Sequence, residues 1–234
     1  MFSTERPPVT AERAERAERA DRTPASQLLL GTRTIAVMRA SRASDYAPIV
    51  EALIRGGVVS IELTLSTPGV FEELPLLLER FGDTAEFGVG TVTTVDDAER
   101  ALDAGASYLV TPATDTAVIK TAVQRGVAIF PGGLTPTELL SGWSSGATAV
   151  KVFPASVVGP SYVPALRGPF PDIQVIPSGG VGMEDAAAWL KAGALAVSVG
   201  GPLLGDAFDG GDLRKLTERA VRLRAVVDEA ETAP

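Results

Sequence analysis

Short apolar segments alternate with amphipathic segments along most of the chain, starting near residue 33. Eight apolar segments have the length and β-branched content of buried strands, and they cover residues 34–38, 58–63, 86–89, 108–110, 128–130, 149–153, 174–176 and 194–199. Between and after them, the helical period predicts helices at residues 45–54, 70–80, 94–104, 115–125, 136–141, 183–191 and 213–227. Apolar helix packing is expected to begin near Pro24, with Leu28, Leu29 and Leu30.

The ends of the helical segments carry residues that support this alternation. Thr67, Thr94 and Thr135 are predicted N-caps, and glycines follow several of the helices. Strands that alternate with helices form a parallel sheet. Eight such units in about 200 residues predict an α/β fold, a (β/α)8 TIM barrel. An open doubly wound sheet is the alternative, although it would leave unprotected edges.

A charged repeat precedes the barrel region. Residues 11–22 repeat Ala-Glu-Arg and end in Ala20-Asp21-Arg22, with Glu and Arg in the favourable i,i+4 order for a solvated helix. A three-residue period gives no lasting apolar stripe, so such a helix has nothing to bury. We expect residues 1–23 to be a non-catalytic extension and residues 24–234 to form the barrel domain.

Composition limits the chemistry that this chain can perform. It has 234 residues, no cysteine and no histidine, which removes thiolate chemistry, histidine bases and the commonest transition-metal ligand. The net charge of -8 argues against a nucleic-acid partner. No apolar run approaches the ~18 residues of a membrane span, and no signal-peptide pattern opens the chain. We therefore expect a cytoplasmic enzyme that acts on a small molecule without a cofactor or metal.

One lysine interrupts an apolar strand. Lys151 lies in Ala149-Val150-Lys151-Val152-Phe153-Pro154, whereas Lys120, Lys191 and Lys215 lie in polar or helical segments. Burial disfavours the ammonium form of a lysine and frees the neutral amine, which is the nucleophile of Schiff-base chemistry. The alternative is an ordinary side chain that extends along a strand edge to reach solvent.

Other polar groups stand at the predicted C-terminal strand ends, where barrel enzymes place their chemistry. An ionised Glu62 among apolar neighbours needs a partner, and Lys151 across the barrel is the expected one; simple pairing with a nearby arginine is the alternative. Gly179-Gly180 and Gly200-Gly201 end the last two strands, where backbone N–H groups can bind a phosphate.

Seven short motifs follow one another along the predicted barrel: Ile61-Glu62-Leu63-Thr64-Leu65-Ser66-Thr67-Pro68, Gly88-Val89-Gly90-Thr91-Val92, Thr111-Pro112, Phe130-Pro131-Gly132, Lys151-Val152-Phe153-Pro154, Gly168-Pro169-Phe170 and Pro177-Ser178-Gly179-Gly180-Val181. Together they resemble the family of 2-keto-3-deoxy-6-phosphogluconate (KDPG) and 4-hydroxy-2-oxoglutarate (KHG) aldolases. The resemblance implies a metal-free class I aldolase, commonly a homotrimer, that releases pyruvate and an aldehyde. It also implies that Lys151 forms the Schiff base, that Glu62 transfers protons, and that the substrate contacts Thr91, Pro112 and Phe153.

Two positions depart from the family pattern. Ser66 stands where many members have an arginine for the substrate carboxylate, whereas Arg39 matches a branch resembling phosphogalactonate aldolases, in which an arginine closes the first strand. We therefore assign the carboxylate to Arg39. Pro202 stands where a serine often helps to hold phosphate, and proline has neither hydroxyl nor N–H. Phosphate binding is then left to Ser178, Gly179, Gly180, Gly200 and Gly201.

Several alternatives stay open from the sequence. The substrate could be KDPG, its phosphogalactonate counterpart or KHG. A phosphosugar epimerase or isomerase on the same barrel would use Lys151 electrostatically, although such enzymes usually need paired acids or a histidine. A non-catalytic barrel that binds a phosphorylated or keto-acid ligand is a further alternative, but a buried lysine facing a glutamate is costly to keep for binding alone.

Overall fold

The computed structural model describes residues 22–232, which form alternating strands and helices. The strands are β1 (Thr34–Met38), β2 (Ser60–Thr64), β3 (Glu86–Gly90), β4 (Tyr108–Val110), β5 (Ala128–Phe130), β6 (Gly132–Gly133), β7 (Val150–Val152), β8 (Val175–Pro177) and β9 (Val197–Val199). The helices are α1 (Gln27–Thr32), α2 (Tyr46–Arg55), α3 (Val70–Phe81), α4 (Val95–Asp103), α5 (Thr116–Gln124), α6 (Pro136–Ser144), α7 (Tyr162–Arg167), α8 (Ala186–Lys191), α9 (Gly201–Leu204) and α10 (Leu213–Thr232).

All strand pairs are parallel, and they form a curled sheet in two segments. One segment has the order β5-β4-β3-β2-β1-β9 and the other the order β6-β7-β8. Pro131 lies between β5 and β6 and has no N–H to donate to a neighbouring strand, so it interrupts what would otherwise be one continuous strand. We therefore count β5 and β6 as one of the eight places in the ring. The N–H groups of Thr148 and Leu195 donate to the carbonyls of Ile129 (3.1 Å) and Val175 (2.8 Å) across the two breaks.

This topology confirms the predicted α/β TIM-barrel class, with a barrel that is only partly closed. The first strand, β1, pairs with both β2 and the last strand, β9, which excludes an open doubly wound sheet. Every predicted strand and helix forms, with ends displaced by a few residues in some cases. The short helices α7 and α9 and the two-residue strand β6 were not predicted, because segments this short show no clear period.

Two of the three predicted helix caps are confirmed. Thr94 accepts a hydrogen bond from the N–H of Asp97 (3.1 Å), and Thr135 forms a reciprocal capping box with Glu138. The prediction for Thr67 is wrong, because α3 begins only after Gly69, whose φ is 86°. The Thr67 hydroxyl instead accepts a hydrogen bond from Ala40 N–H (3.0 Å), which joins the loops that follow β1 and β2.

The N-terminal end of the barrel is closed by apolar packing. The α1 residue Leu29 belongs to an interior cluster with Ile35, Tyr108 and Phe130. Just before α1, the Arg22 guanidinium lies 3.8 Å from the centroid of the Trp143 ring and donates to two carbonyls near the end of α6. Because apolar side chains close this end, access to the barrel interior is from the opposite end. The rest of the predicted extension, residues 1–21, lies outside the described residues.

None of the described helices has both the length and the apolar character that crossing a bilayer requires.

Candidate active site

A cavity of about 610 Å³ opens at the C-terminal ends of the strands. It brings together every residue that the sequence predicted for the site: Arg39, Glu62, Thr91, Pro112, Lys151, Phe153, Ser178, Gly179, Gly180, Gly200 and Gly201. These residues come from seven of the eight places in the ring and the loops after them. This arrangement follows from the parallel sheet, in which all carboxyl ends meet on one rim.

Lys151 is the buried amine of this cavity. Its position in the middle of β7 turns Val150 and Val152 towards the helices and Lys151 towards the barrel interior. The side chain is 7% exposed, whereas the other three lysines of the chain are exposed. Its Nζ lies 4.8 Å from the centroid of the Phe153 ring. A lysine that points into the barrel in this way does not fit the alternative of a side chain extended along a strand edge.

Glu62 is the buried carboxylate of the same cavity, at 1% exposure on β2. Burial raises the pKa of Glu62 above its usual value, and the charges of Lys151 and Arg39 oppose that rise. Gly90 on the neighbouring strand makes room for it, because a Cβ there would collide with the carboxylate. A carboxylate with a raised pKa at a cavity wall holds a proton more readily and can both accept and return one.

Lys151 acts on Glu62 from across the barrel, as expected, but the two side chains form no direct ion pair. Glu62 forms no ion pair with a described cation, and its Oε2 atom has no hydrogen-bond partner in the described part of the chain. The reason is geometric: β2 and β7 lie on opposite sides of the ring, so their side chains face each other across the cavity. The two charges influence each other through space, and the volume between them is open to a ligand.

Arg39 is the one arginine among the described residues that line the cavity, and it directly follows β1. Its guanidinium forms no ion pair with any described carboxylate and lies near enough to Glu62 to lower the pKa of that group. Ser66 does not line this cavity, and its hydroxyl lies 3.0 Å from that of Thr64. The structure thus places a guanidinium, and not the side chain at position 66, near the Glu62 carboxylate.

The glycines that follow β8 and β9 line the part of the cavity next to Phe153 and Pro202. Gly179 and Gly180 have φ values of 81° and 76°, and a side chain on them would meet the ring of Phe153 and the side chain of Ser156. A side chain on Gly201, in contrast, would enter open space. Backbone groups without side chains can approach an anion closely, as the sequence predicted for a phosphate.

Thr91 has an unusual backbone conformation at the cavity wall. Its φ is 61°, in the left-handed region that β-branched residues avoid. Such a conformation costs on the order of 1–3 kcal/mol and persists only where the surrounding structure imposes it. The next residue is held in place by a hydrogen bond from Val92 N–H to the Val110 carbonyl (3.2 Å). Strain of this kind is a common feature of binding sites.

Several lining residues were not included in the predicted site: Val37, Thr64, Ser198, Phe208 and Asp209. The first three stand two residues along a strand from a predicted site residue, so strict alternation could have found them. Phe208 and Asp209 lie in a 3-10 turn after α9 (Ala207–Asp209), and no local pattern indicates that this turn returns to the cavity. Within residues 22–232, no group of three or more His, Cys, Asp or Glu side chains is arranged to hold a metal ion.

Comparisons with known proteins agree with this geometry. The family profile described as KDPG and KHG aldolase matches residues 26–218. A probable 2-dehydro-3-deoxy-6-phosphogalactonate aldolase of Rhizobium meliloti (strain 1021) is 33% identical over 195 residues, which cover 83% of this chain and 91% of that protein. The 2-dehydro-3-deoxy-phosphogluconate aldolase of Dickeya dadantii (strain 3937) is 31% identical, with 85% and 93% covered.

Among solved structures, the KDPG aldolase of Legionella pneumophila was determined with pyruvate captured as a covalent carbinolamine intermediate. It is 26% identical, with a TM-score of 0.77, and the match covers 84% of this chain and 96% of that one. A family profile that spans most of the barrel, relatives above 30% identity and a shared fold lead to one conclusion. This chain belongs to the KDPG and KHG aldolase family, whose members are class I aldolases and therefore lyases.

Proposed function

We propose that this protein cleaves KDPG, or a closely related 2-keto-3-deoxy acid, into pyruvate and an aldehyde through a Schiff base on Lys151. The observation that carries the proposal is one buried amine facing one buried carboxylate of raised pKa across a cavity large enough for such a substrate. Family membership supports the reaction type. An epimerase or a purely binding barrel would not need this pair of groups.

The proposed chemistry begins when the neutral Nζ of Lys151 attacks the C2 ketone and the adduct loses water to form an iminium. The iminium accepts the electron pair of the C3–C4 bond as that bond breaks. Glu62 takes the proton of the C4 hydroxyl, directly or through water, and the aldehyde leaves. The enamine is then protonated at C3, and water hydrolyses the resulting iminium to release pyruvate and regenerate the lysine.

The remaining cavity residues are proposed to hold the two ends of the substrate. The pyruvate part is enclosed by Thr91, Pro112 and Phe153, and its C1 carboxylate is held by the Arg39 guanidinium. Ser178 and the backbone of Gly179, Gly180, Gly200 and Gly201 hold the distal phosphate. As the resemblance implies, we propose a homotrimer, and we propose the cytoplasm as its location.

A comparison of substrates tests the proposed function. Pyruvate release is measured from KDPG, from its C4 epimer, 2-keto-3-deoxy-6-phosphogalactonate, and from KHG. We expect both phosphorylated acids to be cleaved, and KHG to react more slowly because it cannot use the glycine end of the cavity. Arg39 at the end of β1 and Ser66 after β2 favour the phosphogalactonate epimer as the faster of the two. No pyruvate from any of the three would reject the proposal.

The two anion contacts can be separated with Arg39→Ala and Gly201→Leu. Loss of the guanidinium should lower kcat/KM on the order of 10²-fold for phosphorylated and unphosphorylated substrates alike, because all carry the C1 carboxylate. A leucine at Gly201 should fill the open space beside the glycines and penalise only the phosphorylated substrates. Gly201 is better suited than Gly180, where a positive φ and Ser156 would oppose any side chain.

Gly31→Leu is the matched control for the glycine variant, because Gly31 also faces open space and belongs to α1 at the closed end of the barrel. It should leave all three activities near the wild-type level. If Arg39→Ala impairs the phosphorylated substrates alone, the guanidinium belongs to the phosphate end and the carboxylate assignment is wrong.

A further inference from the structure

Tyr108 on β4 and Glu62 on β2 lie on either side of β3, which has a glycine between them. Glu62 on β2 is in register with Gly88 on β3, and Gly88 is in register with Tyr108 on β4. The Tyr108 ring occupies the space where a Cβ of Gly88 would be. The Glu62 carboxylate in turn occupies the space of a Cβ of Gly90, the next residue of β3 on the same face, so the tyrosine ring and the carboxylate lie over neighbouring glycines of one strand. Any larger residue at Gly88 would displace the tyrosine.

Each of these two side chains has a buried polar atom whose hydrogen-bonding capacity is not filled. Tyr108 is 2% exposed, and its hydroxyl oxygen lies against the backbone of Gly88, but the described residues offer no acceptor for its proton. The Oε2 atom of Glu62 has no hydrogen-bond partner among the same residues. Buried polar atoms in native proteins are normally hydrogen-bonded, to protein or to ordered water. A phenol is a donor and a carboxylate oxygen an acceptor, so each atom is the natural partner of the other.

The other charged groups around this pair are also defined. Lys151 on β7 and Arg39 after β1 favour the ionised form of Glu62. Towards the closed end of the barrel, Glu86 accepts a hydrogen bond from the Ser60 hydroxyl. Burial raises the pKa of Tyr108 well above its usual value, and the charges of Glu86 and, to a smaller extent, Glu62 add to that rise. The phenol consequently keeps its proton and can act only as a neutral donor or acceptor at physiological pH.

We propose that Tyr108 is a positioning residue whose hydroxyl donates to Oε2 of Glu62, directly or through one buried water molecule, and thereby sets the proton affinity of the acid/base carboxylate. The inference rests on the proposed function, in which Glu62 moves the C4 hydroxyl proton. Tyr108 itself does not line the cavity. Its effect is exerted from behind the carboxylate.

The sign of the effect follows from which form of Glu62 the phenol stabilises. A donor hydrogen bond favours the carboxylate over the neutral acid, so it lowers the pKa of Glu62 and partly offsets the rise that burial causes. Without the hydroxyl, the pKa of Glu62 rises further. Less of the base form is then present at neutral pH, and the acidic limb of the activity profile moves to higher pH.

The experiment measures the pKa of Glu62 by NMR titration of its side-chain carboxyl carbon, assigned with Glu62→Gln, in the wild type and in Tyr108→Phe. We expect the variant to titrate about one pH unit higher, the size of shift that a hydrogen bond to a charged group produces. The acidic limb of kcat should move by a similar amount with little change in KM. Replacing Tyr108 with 3,5-difluorotyrosine, whose phenol is a stronger donor, should move both in the opposite direction.

Thr34→Val is the matched control, because the Thr34 hydroxyl is also fully buried and without a hydrogen-bond partner. Thr34 lies on β1, three residues before Val37, which is the register partner of Glu62. It should leave the Glu62 titration unchanged. The proposal is overturned if Tyr108→Phe moves the titration no more than Thr34→Val does, which would mean that the phenol serves Glu86 or packing alone. Failure of the proposed function is a separate result, since it would show as no trapping of pyruvate on the wild-type Lys151.

Discussion

Replacing Lys151 with arginine or alanine is expected to abolish aldol cleavage while the barrel stays folded. Arginine keeps the positive charge that faces Glu62 but cannot form an imine, so it separates covalent from electrostatic catalysis. Removing the nucleophile of a covalent mechanism typically costs on the order of 10⁴-fold or more in kcat/KM. Because the side chain faces a cavity and not the packed core, the loss of packing in either variant is small.

Borohydride reduction in the presence of pyruvate measures the covalent step directly. The wild type should gain one reduced pyruvyl group per chain, located on Lys151 by peptide mass spectrometry, with EDTA present throughout to exclude a metal-dependent route. Lys151→Arg should gain none, whereas Lys120→Ala, which removes an exposed lysine in the middle of α5, should be labelled like the wild type. Label on Lys120, Lys191 or Lys215 would contradict the proposed mechanism.

Glu62→Gln should retain the ability to trap pyruvate and lose most of the cleavage activity. The amide has nearly the same shape as the carboxylate but cannot take the C4 hydroxyl proton, and loss of a general base typically costs 10²–10⁴-fold, as an order of magnitude, in kcat. Pyruvate lacks a C4 hydroxyl, so imine formation on Lys151 needs no such transfer. Steady-state cleavage and borohydride trapping on the same preparation separate the two steps.

The pH dependence gives a second measure of the same group. Burial raises the pKa of Glu62, so wild-type activity should fall as the pH drops through that raised value and the base becomes protonated. In Glu62→Gln this acidic limb should disappear from the residual activity. Glu86→Gln is the control, since Glu86 is also buried but lies outside the cavity, and its hydrogen bond from Ser60 can be kept by the amide oxygen. Persistence of the limb in Glu62→Gln would assign it to another residue.

Local sequence patterns were enough to predict the architecture and most of the site. The strand spans at β1, β4 and β5 agree residue for residue with the structure, because a buried strand needs only apolar side chains within one short segment. The burial of Lys151 followed in the same way from its four apolar neighbours and a proline. Since parallel strands end on one rim, the residues predicted at the strand ends are also residues that line the cavity.

Contacts between distant segments could not be predicted in this way. Thr67 has the sequence signature of a helix cap, yet its hydroxyl binds the Ala40 N–H, because the loop after β1 approaches it in the folded barrel. The left-handed conformation of Thr91 is likewise imposed by its surroundings, since threonine has no local preference for it. The return of Phe208 and Asp209 to the cavity depends on how α9 packs, which no periodicity records.

The alternation of strands and helices, the buried position of Lys151, the set of polar strand ends and the resemblance to a family of aldolases can all be read from the sequence. All of these depend on residues close together in the chain. Two relations become visible only in the folded barrel: Glu62 and Lys151 face each other without pairing, and Gly88 and Gly90 make room for Tyr108 and Glu62. Those relations depend on the radius of the ring and the register between strands, which packing of the whole barrel sets and no short segment specifies.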